Sequence, residues 1–254
     1  MPEQTVKAIA EQTEAAVTIK SDAAEVTLDK EAVKAVAEQA GESGTVSLKV
    51  ETVKQDDSAV QVDLRLVTSN GNVSDFRGGS VAVTVRLNSN LAAKEVVCVY
   101  IDDNGVYHRV SGIQHADGTF TFTTGHFSTY AIMSAEDVDK VMADQVNTLI
   151  KEVSLKVKTS RTSKKNIKAV VSGDITALTD AGYTVKYKFY RATKASGKYT
   201  VKKTKDTASW TNTAGKKGTK YYYKAKVYVY EGDTLVGQTS LSRCKYSSRT
   251  WTKK

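Results

Sequence analysis

The sequence predicts a mainly β chain: an N-terminal α+β module running into a β-meander, a linker helix, and a C-terminal two-sheet β-sandwich. Three observations predict it. Alternation of apolar and polar residues at period two dominates from residue 59 onward, as in Val60, Val62, Leu64 and Leu66. Short turn signals separate the alternating runs. The charge changes sign along the chain. Residues 1–134 hold eleven Lys/Arg against eighteen Asp/Glu, a net of −7, and residues 135–153 hold two against five. Residues 154–254 hold twenty-four against five, a net of +19. Such a step marks a domain boundary and gives the two parts different electrostatic partners. The expected domains are 1–133, a linker 134–153 and a basic domain 154–254.

The opening segment carries a repeat. Val6-Lys7-Ala8-Ile9-Ala10-Glu11-Gln12 returns as Val33-Lys34-Ala35-Val36-Ala37-Glu38-Gln39. Both copies space apolar residues as a helix does. Strands are expected at 16–20, 25–28 and 45–50, with Asp29 capping the second helix. Beyond residue 59 the runs 60–66, 80–87, 95–101 and 119–123 read as an antiparallel meander. Asp103-Asn104-Gly105 and Asp117-Gly118 supply its tight turns, because Asn and Gly tolerate positive φ. Ser134, with Asp137 three residues on, opens a helix as a capping box. Its expected apolar face is Val138, Val141, Met142, Gln145, Leu149, Ile150 and Val153.

The basic part reads as seven strands near 154–160, 166–172, 183–193, 198–205, 208–213, 220–230 and 234–246, a count that fits a sandwich. In the sixth, Tyr221, Tyr223, Ala225, Val227 and Val229 share the inward face. Tyr222, Lys224, Lys226, Tyr228 and Tyr230 share the outward one. This Tyr/Lys face is the candidate binding site, because tyrosine can stack on sugars or bases while ammonium groups hold anions. Lys202 and Lys203, with Lys205, Lys216 and Lys217, extend the basic surface.

Other candidates reduce to structural roles. His126 lacks a nucleophile and a paired acid, and His108 and His115 lack metal-ligand spacing. Asp102-Asp103-Asn104-Gly105 lacks the alternating acids of a calcium loop. Gly78-Gly79 precedes a strand, so a turn or bulge explains it better than a phosphate cradle. Cys98 and Cys244 fall in different domains and read as single thiols. No catalytic residue, metal or cofactor is expected. No apolar run approaches the roughly 18 residues that cross a bilayer as a helix.

Two stretches resemble known families. Asp75-Phe76-Arg77-Gly78-Gly79-Ser80, Val99-Tyr100-Ile101-Asp102-Asp103-Asn104-Gly105 and Phe122-Thr123-Thr124-Gly125-His126-Phe127-Ser128-Thr129-Tyr130-Ala131 resemble a β-rich module of secreted surface proteins of Gram-positive, gut-type bacteria. Tyr183 to Arg191 and Gly215 to Val227 are similar to the Lys- and Tyr-rich fibronectin type III/Ig-like domains of such proteins. The tryptophan common in the second strand of those domains is missing here; Trp210, in the fifth, is expected to fill its space. The resemblance implies a non-catalytic, extracellular segment of a longer secreted protein at the bacterial surface, acting as spacer and adhesion module. Its expected partner is an anionic cell-wall polymer or a host glycoprotein. Capture of a specific host protein such as immunoglobulin is the alternative, and an accessory module of a glycan-degrading enzyme is another. Nucleic-acid binding ranks below these, for want of a groove-reading or single-strand motif.

Overall fold

The computed structural model describes residues 1–12, 16–41, 43–73, 75–163, 166–216, 218–242 and 247–250. The chain divides into two compact units, 1–142 and 143–254. Both are built mainly from antiparallel sheets.

In the first unit the elements run α1 (Glu3–Gln12), β1 (Val17–Lys20), β2 (Ala24–Leu28), α2 (Lys30–Gln39), β3 (Ser47–Gln55), β4 (Ala59–Thr68), β5 (Gly71–Val73) and β6 (Val81–Arg86). There follow α3 (Ser89–Ala92), β7 (Val96–Ile101), β8 (Tyr107–Val110), β9 (Gly112–Gln114), β10 (Thr119–Thr124) and β11 (Thr129–Ser134). One sheet has the order β1-β2-β6-β10-β9. The other is β3-β4-β11-β7-β8, with β5 also paired to β4.

This corrects the single meander predicted from residue 59. The local hairpins form as expected: Gly105, at φ 76°, closes the turn between β7 and β8. The remaining pairings are long-range, and they sort the strands into two sheets. The reason is burial. Each strand is apolar on one side only, and a lone sheet would leave that side in water. Here Val26, Val83 and Phe122 of one sheet and Val62, Leu64 and Ile132 of the other join one core.

The repeated helices close part of this core. Val33 and Val36 of α2 are buried in it, and Val6 of α1 lies beside them. Asp29 caps α2 as expected, accepting from Ala32 N at 2.8 Å; its second oxygen accepts from Ser80 N at 2.9 Å. Gly79 fits only as glycine: a Cβ there would stand 2.2 Å from Ala32 N.

Glu3 is fully buried and ties α1 to the turn after β4. It accepts from Ser69 N at 2.6 Å and from Ser69 Oγ at 2.9 Å. The Ser69 amide, foremost, holds its carboxyl below the usual carboxylate range. A depressed native value means that this stabilisation is present above the ordinary glutamate pKa and lost as pH falls through the lowered one. Glu3→Gln is therefore expected to flatten the acid limb of the first unit's stability against pH, measured by circular dichroism in urea. An acid limb unchanged in the variant would remove Glu3 from that role.

Helix α4 (Ala135–Glu152) starts on the predicted capping box, with Asp137 N donating to Ser134 Oγ at 3.2 Å and Ser134 Oγ to Asp137 Oδ2 at 2.6 Å. Its buried stripe is narrower than predicted. Val138, Met142 and Val146 are buried, while Gln145, Leu149 and Ile150 are only half-buried. Val146 takes its place because i, i+4, i+8 spacing continues the line of Val138 and Met142. In the second unit, Val146 and Ile150 press on Gly237, where a Cβ would meet them at 2.7 and 2.5 Å.

The second unit holds β12 (Lys156–Ser163), β13 (Asn166–Ser172), α5 (Thr176–Asp180), β14 (Thr184–Ala192), β15 (Thr200–Lys205), β16 (Ser209–Asn212), β17 (Lys220–Glu231), β18 (Thr234–Gln238) and β19 (Ser247–Thr250). It is a two-sheet sandwich: β12-β13-β16 on one side and β15-β14-β17-β18 on the other, with β19 also paired to β17.

Trp210 does pack where a larger second-strand residue would sit. It is in register with the small, buried Ala169, and its ring lies 5.9 Å from Phe189 and 6.0 Å from Tyr223. Tyr223 is buried with its hydroxyl satisfied by Asn212 Nδ2 at 2.7 Å. The predicted strand 234–246 is shorter than expected. Beyond Gln238, the amides of Thr239 and Ser242 still donate to the carbonyls of Val227 and Ala225, both at 2.9 Å, while Thr239 Oγ1 and Ser242 Oγ accept from those residues' amides, so hydroxyls take over only the accepting half of the ladder. Residues 243–246, with Cys244, lie outside the described residues. Cys98 is a free, buried thiol.

Candidate functional site: a lysine and tyrosine sheet face

β17 alternates as its sequence predicts. Tyr221, Tyr223, Ala225, Val227 and Val229 are buried, and Tyr222, Lys224, Lys226, Tyr228 and Tyr230 face outward, half-buried. β14 completes the face. Its Tyr187 and Phe189 point inward, so Lys186, Lys188 and Tyr190 point outward. The register sets Lys186 opposite Tyr228, Lys188 opposite Lys226, and Tyr190 opposite Lys224.

The β14 half of the face is not among the residues that the alternation in β17 predicts. The signal was present, because buried Tyr187 and Phe189 force their neighbours outward. What the sequence lacked was the pairing of β14 with β17 in this register.

The ammonium groups lie over tyrosine rings. Lys188 Nζ is 3.6 Å from the centre of the Tyr228 ring, and Lys186 Nζ is 5.0 Å from that of Tyr230. Lys224 Nζ lies 4.7 Å from the Tyr199 ring, and Lys220 Nζ 5.5 Å from the Tyr222 ring. These distances allow cation–π attraction, which holds a cation without neutralising it. Among the described residues, none of Lys186, Lys188, Lys224 and Lys226 forms an ion pair with a carboxylate. Lys226 reaches only the neutral Gln238 Oε1, at 3.4 Å.

The Lys188–Lys226 pair runs against sheet stability. Like charges directly opposite each other repel. An anion seated between them would relieve that repulsion.

Tyr190 and Tyr228 meet at 3.3 Å between hydroxyls. Burial pushes the Tyr190 phenol up to about 12, helped by the contact with Tyr228. Tyr228 shifts down, because its hydroxyl accepts from Tyr190 and the ammonium groups of Lys188 and Lys226 favour the phenolate. An absorbance titration at 295 nm is expected to show one tyrosine ionising below the usual phenol range of about 10. Lys188→Met should move that step upward. A titration with no early step would show that the lysine field does not reach Tyr228.

Lys203 is not on this face, and Lys202 falls at a break in register. They stand on β15, where Lys203 is in register with the inward-facing Phe189 and Lys202 is the extra residue at a shift in register. The outward positions of β15 are Val201 and Thr204, opposite Tyr190 and Lys188. This pairing was not legible in the sequence, and it puts Lys203 on the other side of the sheet from Lys188. Lys217 lies outside the described residues.

In the first unit His108 and His126 are part of the packing, while His115 is exposed. His108 stacks on Tyr100 at 4.4 Å and its Nε2 is 3.3 Å from Asp102 Oδ2. His126 meets Tyr100 edge-on at 4.9 Å. Asp102 Oδ1 accepts from the amides of Asn104 and Val106, both at 2.9 Å, so this carboxylate shapes the hairpin. Among the described residues, no group of three or more His, Cys, Asp or Glu is placed to hold a metal ion. No described helix is long and apolar enough to cross a membrane.

No protein-family model matches the chain, and no curated protein matches it. Among solved structures, a cytokine receptor complex aligns over 81% of this chain and 98% of its own, at 8% identity and a TM-score of 0.33. A β-1,2-glucanase from Parabacteroides distasonis aligns over 83% of this chain and 36% of its own, at 10% identity and a TM-score of 0.30. At these scores neither likeness bears on what the chain does.

Proposed function

We propose that the chain is a non-catalytic segment of a secreted bacterial surface protein, and that its basic sandwich adheres to an anionic polymer through the β14–β17 face. The observation that carries this reading is the Lys188–Lys226 pair. The two lysines stand opposite each other in the register of β14 and β17, and among the described residues no carboxylate pairs with either. The cross-strand juxtaposition of like charges costs the fold, and a polyanion gains two cations on neighbouring strands. The tyrosines beneath hold the lysine stems in place, so less side-chain freedom is lost on binding. The net of +19 over residues 154–254 adds long-range attraction. The acidic first unit acts as the spacer.

The test is retention of the purified chain on immobilised wall teichoic acid, mucin and immunoglobulin at low and high salt. Retention on the anionic polymers that vanishes at high salt is the expected result, since contacts between exposed charges are screened. Retention on immunoglobulin alone that persists in salt would replace this reading with host-protein capture. Retention on none of them would overturn the adhesive role.

A further inference from the structure

The first unit contains a cleft that the adhesive reading does not use. Strand β4 is covered along one side by β3. On its other side, β11 pairs with it as far as Asp63 and β5 pairs with it only from Leu66. Leu64 and Arg65 therefore have no strand across from them on that side, and the sheet carries a notch of about 610 Å³. Its size is that of a small-molecule site.

Leu64, Leu66, Val73 and Phe127 border the notch, but their side chains are buried in the core, so what it offers a ligand is mainly polar. Its rim is polar and partly fixed in advance. Asp63 Oδ2 lies 2.7 Å from Arg65 Nε, and Asp63 Oδ1 accepts from Thr129 Oγ1 at 3.0 Å. Other groups on the rim are unspent. The side chains of Gln61, Asn72 and Asp103 have no hydrogen-bond partner among the described residues, and Arg65 uses only Nε.

We infer that this notch binds a pyranose sugar unit that carries no negative charge. Planar amide, carboxylate and guanidinium groups can each engage two neighbouring hydroxyls, and a pyranose ring presents hydroxyls at that spacing. Asp63, Asp102 and Asp103 outnumber Arg65 on the rim, so an acidic sugar is repelled. The ligand class is thus opposite to that of the basic sandwich, and the inference stands apart from the adhesive reading.

The experiment is saturation-transfer NMR on the intact chain with glucose, mannose, N-acetylglucosamine, glucosamine and glucuronic acid. Transfer is expected to at least one uncharged or amino sugar, with a Kd on the order of millimolar, and not to glucuronic acid. Asn72→Ala and Asp103→Ala change exposed side chains and should keep the fold, checked by circular dichroism. Each should weaken binding at least about tenfold, which is about 1.4 kcal/mol. Addition of wall teichoic acid should leave the sugar signal unchanged. The inference is overturned if no sugar shows transfer, if glucuronic acid binds equally well, or if both variants bind as the parent does.

Discussion

Replacing Tyr130 with alanine is expected to cost the first unit about 3–5 kcal/mol, the usual range for a large aromatic removed from a core. That is a large share of the roughly 5–15 kcal/mol that holds a domain folded. Tyr130 is fully buried, with its ring 4.6 Å from that of Phe122. Its hydroxyl donates to the His126 carbonyl at 2.7 Å and lies 2.7 Å from Thr124 Oγ1. Thr124 in turn donates to the same carbonyl at 2.9 Å. Phe127 meets Phe76 edge-on at 4.9 Å, and Phe76 N donates to Gly125 O at 3.3 Å. The stretch from Thr124 to Tyr130 is thus a corner that joins β10, β11 and the segment before β6.

Tyr130→Phe separates the two contributions. It keeps the ring and removes one of the two donors to the His126 carbonyl, which Thr124 still serves, at about 0.5–1.5 kcal/mol, the net worth of one hydrogen bond. Urea unfolding followed by circular dichroism measures both variants. Equal midpoints for Tyr130→Phe and the parent would show that the corner is held by packing alone.

Lys226→Glu is expected to strengthen the fold and weaken adhesion together. The substitution turns a repulsive cross-strand pair with Lys188 into an attractive one, at about 0.2–1 kcal/mol in favour of folding. The same change removes one cation from the face and adds an anion, and should lower affinity for an anionic polymer about tenfold. On a linear polyphosphate the salt dependence should also become shallower, because fewer counterions are released. Thermal unfolding and salt-gradient elution from wall teichoic acid measure the two effects. A variant both less stable and unchanged in elution would show that the pair is a feature of the fold and not of the site.

What could be read from the sequence follows the range of the interactions concerned. The faces of β17 were legible because alternation is a local property, and so were the cap at Asp29 and the turn at Gly105. Trp210 lies beside Ala169 of the second strand of the sandwich, between Phe189 and Tyr223. Partner strands were not legible. Nothing in Val60 to Leu66 states that β11 will lie beside it, and the notch at Leu64 exists only because β5 and β11 stop short of each other. Lys203 of β15 illustrates the same limit, since only its pairing with Phe189 shows which side it occupies.

That edge strand also bears on how copies of the chain meet. β15 ends its sheet, and all six of its residues are exposed. A bare edge invites a strand from another molecule to add to it. Here Lys202, Lys203 and Lys205 crowd the edge with charge, and the irregular register breaks the template a second strand would need. Copies packed side by side on one surface would therefore repel at their sandwich edges instead of fusing into a shared sheet. Each would keep its own β14–β17 face open to whatever lies opposite.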